Sequence, residues 1–156
     1  MKTTYLQKKL NMKNSEKVFL GGTCNGSMWR DDLIEKLNIP YFNPVVDNWD
    51  EKAQKEEDYQ RKNALFVLFV ITPLMTGVFS IAEVVDCSNK RPESTLFCIL
   101  KKDSKKEFDE FQLKSLIQVE KMVKSNGAKT FSSLQDVANF LNGQEYKKRI
   151  KKLAGL

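Results

Sequence analysis

Carboxylates are the strongest candidates for chemistry in this sequence, because it contains no histidine. Without histidine, Ser-His-Asp and Cys-His nucleophile systems and most catalytic zinc sites are excluded. Glu83 is the most informative carboxylate, since it completes the pattern Gly-x-x-Ser-x-x-Glu with Gly77 and Ser80 and has apolar neighbours on both sides. An exposed glutamate would be unremarkable there, whereas a half-buried one needs a functional reason. Ser80 lies one helical turn earlier, so both side chains can face one ligand.

A second candidate is the segment Gly21 to Arg30, which reads Gly-Gly-Thr-Cys-Asn-Gly-Ser-Met-Trp-Arg. Glycines let the backbone approach a ligand, and free N–H groups at a helix start favour anions such as phosphate. The segment matches neither the Walker A pattern nor Gly-x-Gly-x-x-Gly. A glycine turn followed by a helix with Ser27 as its N-cap explains the segment about as well. The helix dipole disfavours a cation such as Arg30 in the first turn, however, so its presence there favours an anion or sugar site. The candidate substrate-binding residues here are Gly22, Thr23, Ser27, Trp29 and Arg30.

The third candidate is the segment from Asn43 to Asp50, where Asp47 and Asp50 stand around Trp49. A flat aromatic ring next to acids suits a nucleobase or a sugar. Asn43 and Trp49 are therefore candidate substrate-binding residues, and the two aspartates are candidate catalytic acids. Either aspartate can instead simply cap the helix that follows.

Short apolar runs alternate with longer helical patterns along the whole chain. The predicted strands are 17–22, 39–43, 64–71, 94–100 and 128–131, and the predicted helices are 29–37, 50–63, 78–88, 107–125 and 133–141. This alternation predicts an α/β fold, a doubly wound parallel sheet of about five strands with helices on both faces. Such sheets bind ligands beyond the carboxyl ends of their strands. Three segments leave the strands at that edge, namely Gly21 to Met28, Pro44 to Asp50 and Thr72 to Gly77, and the last leads into the helix of Glu83.

The 156 residues are enough for one domain with a single core. We expect a basic polar extension at 1–17, a single catalytic domain at 18–144 and a basic tail at 145–156. The net charge of +6 is concentrated at the two ends, since each has five basic residues and one glutamate and contributes +4, while the segment between them sums to about −2. Charge runs at termini are usually solvated, and no interleaving of aromatic and basic residues predicts a nucleic-acid partner.

The composition predicts an ordinary globular protein of the cytoplasm. No apolar run is long enough to span a membrane, and residues 1–17 do not resemble a secretory signal. The three cysteines include no Cys-x-x-Cys pair, which argues against a disulfide framework and a structural zinc site. We therefore expect no metal.

The order of these motifs from Val18 to Leu100 resembles the nucleoside 2-deoxyribosyltransferase-like superfamily, which includes nucleoside monophosphate N-glycosidases. The resemblance implies a flavodoxin-like fold and an enzyme that cleaves N-glycosidic bonds of nucleosides or nucleoside monophosphates without a cofactor. It identifies Glu83 with the family nucleophile, Ser80 with a phosphate-binding serine, and Glu57 with the acidic residue that contacts the base. Two family features are absent: an aspartate shortly before the nucleophile, where this chain has Thr72 to Thr76, and a tyrosine after the first strand, where it has Thr23. Transfer and hydrolysis both remain open, and Glu57, Asp47 and Asp50 remain alternative proton donors.

Two other functions remain open: a non-catalytic nucleotide-binding sensor, and a glycohydrolase of NAD or of a signalling nucleotide. A homo-oligomer is also expected, because the predicted helix 107–125 has more apolar positions than one narrow stripe needs. Those positions are Phe108, Phe111, Leu113, Leu116, Ile117 and Val119. In the tail, Tyr146, Ile150 and Leu153 recur at helical spacing, so it either docks on a neighbouring subunit or extends into solvent.

Overall fold

A computed structural model describes residues 16–155 of the chain. Its centre is a five-stranded sheet of β1 (Val18–Gly22), β2 (Tyr41–Phe42), β3 (Phe66–Ile71), β4 (Thr95–Ile99) and β5 (Lys129–Phe131). All neighbouring strands are parallel, and their spatial order is β2-β1-β3-β4-β5. This order is that of flavodoxin-like folds. The predicted doubly wound α/β fold is confirmed.

Six α-helices connect or follow these strands. They are α1 (Trp29–Ile34), α2 (Glu51–Asn63), α3 (Phe79–Lys90), α4 (Glu110–Ser125), α5 (Leu134–Leu141) and α6 (Gln144–Leu153). Helices α1, α5 and α6 pack on one face of the sheet, and α3 and α4 pack on the other. The sheet is therefore covered on both faces.

The strand residues alternate strictly between these two helical layers. On β3, Phe66 and Leu68 contact the layer of α1, α5 and α6, whereas Val67 and Phe69 contact the layer of α3 and α4. Every residue of β3 is buried. Because both faces of a central parallel strand are covered, its sequence shows no polar alternation, which explains the continuous apolar run.

Polar side chains fix the start of three helices. Asp50 accepts a hydrogen bond from the Ala53 N–H at the start of α2, and Ser133 accepts one from the Asp136 N–H at the start of α5. At the start of α4, Asp109 and Gln112 form a reciprocal capping box. Each cap satisfies backbone donors that the first turn of a helix leaves unpaired.

The structure differs from the predicted elements in a few places. Helix α1 ends at Ile34, three residues early, and β2 keeps only two of five predicted residues. Residues 102–107 form a short antiparallel hairpin before α4, so α4 begins at Glu110. A turn with a positive φ of 56° at Ser104 allows this hairpin, and two-residue strands give too little periodicity to be recognised in a sequence.

Most of the expected basic tail at 145–156 lies in helix α6, which ends at Leu153 and packs on the body of the protein. Tyr146 is buried among core residues, and its hydroxyl donates to the backbone carbonyl of Glu16 at 2.7 Å. Ile150 packs against the same cluster. The expectation that this segment lies outside the folded body is therefore corrected, because its apolar stripe covers the edge of the core.

Candidate active site

Two neighbouring cavities open at the carboxyl edge of the sheet, where the strand order reverses between β1 and β3. The first has a volume of about 300 Å³ and the second about 190 Å³. Both are lined by Gly22, Cys24, Ser80 and Glu83. Glu83 therefore lies at the border between two spaces, at the place where doubly wound sheets bind ligands.

The segment after β1 is fixed by buried hydrogen bonds. Gly22 has a φ of 121°, and a Cβ atom at this position would overlap the backbone of Val70 in β3, so only glycine fits. Thr23 is buried, and its hydroxyl oxygen accepts from the Thr72 N–H at 3.0 Å. The Arg30 guanidinium donates to the backbone carbonyls of Leu20, Gly22 and Thr23 at 3.0, 3.2 and 2.7 Å.

Asn25 connects the segment after β1 to the segment after β3. Its side-chain amide donates to the Leu74 carbonyl at 3.0 Å and to the Thr76 hydroxyl at 2.7 Å. Asn25 has a φ of 48°, a left-handed conformation that asparagine tolerates better than most residues. The two segments therefore form one wall of the second cavity.

The first cavity is completed by the segment between β2 and α2. Pro44, Val45, Val46 and Trp49 give it apolar walls, and Glu57 from α2 contributes a carboxylate. The Trp49 indole N–H points to Glu57 Oε2 at 3.4 Å. The Trp49 side chain is 59% exposed, so its ring is available to a planar ligand.

The Glu83 carboxylate is largely buried, with a side chain only 9% exposed. Burial raises its pKa, the Arg61 guanidinium opposes that rise, and the carboxylates of Glu57 and Asp58 add to it. Arg61 donates to Glu83 Oε2 and also to Asp58 Oδ1. Burial disfavours the charge on Arg61, but the two carboxylates outweigh it and raise the Arg61 pKa.

Most of the predicted site residues lie around these two cavities. Glu57 lines the first cavity, and Glu83 lines both. Arg30 and Trp49 line the first, Thr23 and Gly77 line the second, and Gly22 and Ser80 line both.

Five predicted residues line neither cavity. Trp29 is 2% exposed and lies in the core, with its indole N–H donating to the Thr23 carbonyl at 2.7 Å, so its assignment to substrate binding is corrected. Ser27 instead hydrogen-bonds Asp103 of the hairpin. Asn43 accepts from the Val45 N–H, Asp50 caps α2, and Asp47 is exposed.

Sequence reasoning did not single out Arg61, Asn25 or Thr76. Arg61 follows Glu57 by four residues, a spacing that places both on one face of a helix. That spacing was the available signal for a cation near the site. The contacts of Asn25 and Thr76 join segments about 50 residues apart, and no local pattern marks them.

Within residues 16–155, no group of three or more His, Cys, Asp or Glu side chains is arranged to hold a metal ion. None of the helices in this part of the chain is long and apolar enough to cross a membrane. Besides apolar side chains, the two cavities are lined by carboxylates, hydroxyl groups, a thiol, an amide, two aromatic rings and Arg30, and a second arginine, Arg61, pairs with Glu83.

Comparison with known proteins agrees with the site. A family model described as nucleoside 2-deoxyribosyltransferase like matches residues 15–102, which is more than half of the chain. No curated protein and no solved structure matches this chain. The matched range contains every residue that lines the two cavities. This chain therefore belongs to the nucleoside 2-deoxyribosyltransferase like family.

Proposed function

We propose that this protein cleaves or transfers the N-glycosidic bond of a (deoxy)nucleoside or nucleoside 5′-monophosphate, with Glu83 as nucleophile. The observation that carries the proposal is the position of Glu83 at the border of two cavities. A nucleoside whose anomeric carbon lies next to Glu83 would have room for its base in one cavity and for its sugar in the other. Together with the family, this geometry favours chemistry at the bond between them.

The first cavity suits the base. Its apolar walls and the exposed ring of Trp49 offer stacking and van der Waals contact to a planar heterocycle. Glu57 lies at the same cavity and is the proposed partner of a ring nitrogen. The volume of the first cavity, about 300 Å³, lies at the lower end of the range of roughly 300–1,000 Å³ that is usual for small-molecule sites.

The second cavity suits the sugar. Its lining includes the hydroxyl groups of Thr76 and Ser80 and the amide of Asn25, which can hydrogen-bond sugar hydroxyls. Ser80 is also placed to contact a 5′-phosphate at the start of α3, since helix N-termini favour anions. Arg30 is not assigned to that phosphate, because its guanidinium already donates to three backbone carbonyls.

The proposed reaction has two steps. Glu83 attacks the anomeric carbon and forms a glycosyl ester, while the C–N bond breaks and its electron pair leaves with the base. Glu57 gives a proton to the departing nitrogen. Water or a second base then attacks the anomeric carbon, Glu57 takes the proton of that nucleophile, and the ester C–O bond breaks to restore the Glu83 carboxylate.

Product analysis by liquid chromatography tests this function. The purified protein is incubated with a mixed pool of nucleosides, nucleoside 5′-monophosphates and NAD, with and without a second free base. Release of base indicates hydrolysis, and a new nucleoside indicates transfer. We expect Glu83→Gln to lose at least about 10³-fold in rate, since catalysis through a covalent intermediate requires the nucleophile.

Asp86→Asn is the matched control, because Asp86 lies on the same helix and pairs with Lys90 at the surface. It should keep the wild-type rate. A Glu83→Gln variant with unchanged turnover would remove Glu83 from the mechanism. Binding of nucleotides without any release of base would instead identify a sensor, and selective cleavage of NAD would identify an NAD glycohydrolase.

We also propose a homo-oligomer formed through α3 and α4. An apolar groove between these helices is lined by Met75, Ile81, Phe108, Phe111, Leu116 and Val119, with Gln112 and Ser115. Met75 lines the second cavity as well. A subunit bound in this groove would therefore lie at the edge of the proposed sugar site.

A further inference from the structure

An ion-pair network between α2 and α3 includes the proposed nucleophile. Arg61, in the last turn of α2, donates from Nη1 to Glu83 Oε2 and from Nη2 to Asp58 Oδ1, the latter at 2.9 Å. The side chains of Arg61 and Glu83 are 19% and 9% exposed, whereas that of Asp58 is 47% exposed. Water screens the Arg61–Glu83 pair much less than it screens a surface ion pair.

The backbone at Arg61 is also held in place. Arg91, which follows α3, donates to the Arg61 carbonyl at 2.7 Å and to the Ala64 carbonyl. Carbonyl groups in the last turn of a helix lack partners within the helix. Arg91 therefore ties the end of α2 to the end of α3, and the scaffold sets the separation of Arg61 and Glu83.

The charge balance around Glu83 depends on Arg61. The titratable and charged groups near Glu83 are Glu57, Asp58 and Arg61 on α2, Cys24 and Arg30 after β1, and Asp86 and Cys87 on α3. Among the described residues, Arg61 is the cation that contacts the Glu83 carboxylate. Without it, a desolvated carboxylate would face two neighbouring carboxylates and would favour its protonated form.

We propose that Arg61 is a positioning residue that holds Glu83 by Oε2 and presents Oε1 to the anomeric carbon. This inference rests on the proposed function. Among the described residues, the hydrogen bonds of the Glu83 carboxylate go to Oε2, which leaves Oε1 for attack. Only an ionised carboxylate is nucleophilic, and the adjacent guanidinium stabilises that form.

Asp58 has a distinct part in this arrangement. When Glu83 forms the ester, its negative charge is lost, and a nearly buried Arg61 would be left as an unpaired cation. Asp58 keeps Arg61 paired at that stage. This matters because an uncompensated buried charge is strongly destabilising. The original pair forms again when the ester C–O bond breaks.

Kinetics as a function of pH tests the proposal through substitutions on α2. Arg61→Met removes the cation that stabilises ionised Glu83, so the acidic limb of the kcat/KM profile should move up by about one pH unit or more. On the plateau above that limb, kcat/KM and kcat should fall by about 10²-fold, the effect typical of losing one preorganised electrostatic contact. Arg61→Lys should move the limb most of the way back without restoring kcat, because an ammonium cannot bridge two carboxylates as a planar fork does.

Asp58→Asn should move the same limb in the opposite direction, to lower pH, because it removes a carboxylate that raises the Glu83 pKa. Lys62→Met is the matched control, since Lys62 is exposed on the same helix. It should leave the limb in place. These opposite shifts are not expected if Arg61 only stabilises the fold.

A readout independent of turnover is the titration of Glu83 by ¹³C NMR of its carboxyl carbon. Arg61→Met should raise the midpoint by about one pH unit or more, and Asp58→Asn should lower it. If no nucleoside is cleaved but these midpoints shift, the proposed function fails while Arg61 still holds the carboxylate. If folded Arg61→Met and Asp58→Asn proteins both keep the wild-type midpoint, the inference is overturned. Should Arg61→Met not fold, Asp58→Asn and Arg61→Lys decide alone.

Discussion

Arg30 lies at the wall of the first cavity, and its side chain is bonded to the segment that follows β1. The residue is 5% exposed, and its guanidinium lies 4.4 Å from the centre of the Trp29 ring. Burial lowers its pKa, and the neighbouring Cys24 and Glu57 oppose that change. Its three hydrogen bonds to carbonyl groups fix the curve of the backbone around Gly22. At the level of the residue, Arg30 is therefore part of the scaffold that shapes the cavity.

Arg30→Met should lower the stability of the protein and affect all substrates equally. Three backbone carbonyl groups each lose a hydrogen bond from Arg30, so we expect a loss of about 3 kcal/mol in the free energy of unfolding, measured by urea denaturation. Turnover of nucleosides and of 5′-monophosphates should fall by the same factor. Lys36→Met, an exposed change shortly after α1, is the control. A selective loss of monophosphate turnover would show that Arg30 contacts a phosphate.

The sequence indicated the side chains of the site better than it indicated their partners. Glu83 and Ser80 stood out by their types and helical spacing, whereas Glu57 was identified only through the resemblance to the family. Trp29 was misassigned because an aromatic ring in the core and one in a binding site look alike in a sequence. Asp50 caps α2, which was the alternative to a catalytic role for this aspartate. The pairing of Arg61 with Glu83 joins two helices across 22 positions, which a single sequence does not reveal.

At the level of elements, long periodic segments were predicted well and short ones poorly. The apolar run of β3 and the amphipathic pattern of α4 gave clear elements, because burial on both faces makes a strand continuously apolar and burial on one face makes a helix periodic. The hairpin at 102–107 depends on contacts with other segments, such as the bond between Asp103 and Ser27. Helix α6 was expected as a tail although its apolar stripe was recognised, because a sequence does not show that Tyr146 and Ile150 pack on the core of the same chain.

Removal of α6 should destabilise the protein. Tyr146 and Ile150 pack on the core, and the Arg149 guanidinium lies 4.6 Å from the centre of the Phe66 ring. Burial of two large side chains contributes about 3 kcal/mol or more. Truncation after Gly143 should therefore lower the melting temperature by roughly 6–12 °C. Truncation after Leu153 is the control and should change little. An unchanged melting temperature in the shorter protein would show that α6 does not contribute to the fold.

At the level of the whole molecule, the face formed by α3 and α4 carries several exposed apolar side chains. Val78 and Phe79, where α3 begins, are 70% and 69% exposed, and Phe111 on α4 is 79% exposed. Phe79 also lines the second cavity. Contiguous exposed apolar surface usually marks an interaction site. This face combines the proposed oligomer contact with one wall of the proposed sugar site.

Phe111→Glu should therefore break the proposed oligomer and weaken catalysis together. A charge introduced into an apolar contact must be desolvated without a partner, which strongly opposes association. Light scattering at micromolar concentration should show at least a dimer for the wild-type protein and a monomer for this variant. Turnover should fall as well, because the edge of the second cavity loses its neighbour. Leu153→Glu, an equivalent change at an exposed position of α6, should alter neither property. A strictly monomeric and fully active wild-type protein would contradict both the oligomer and its role at the site.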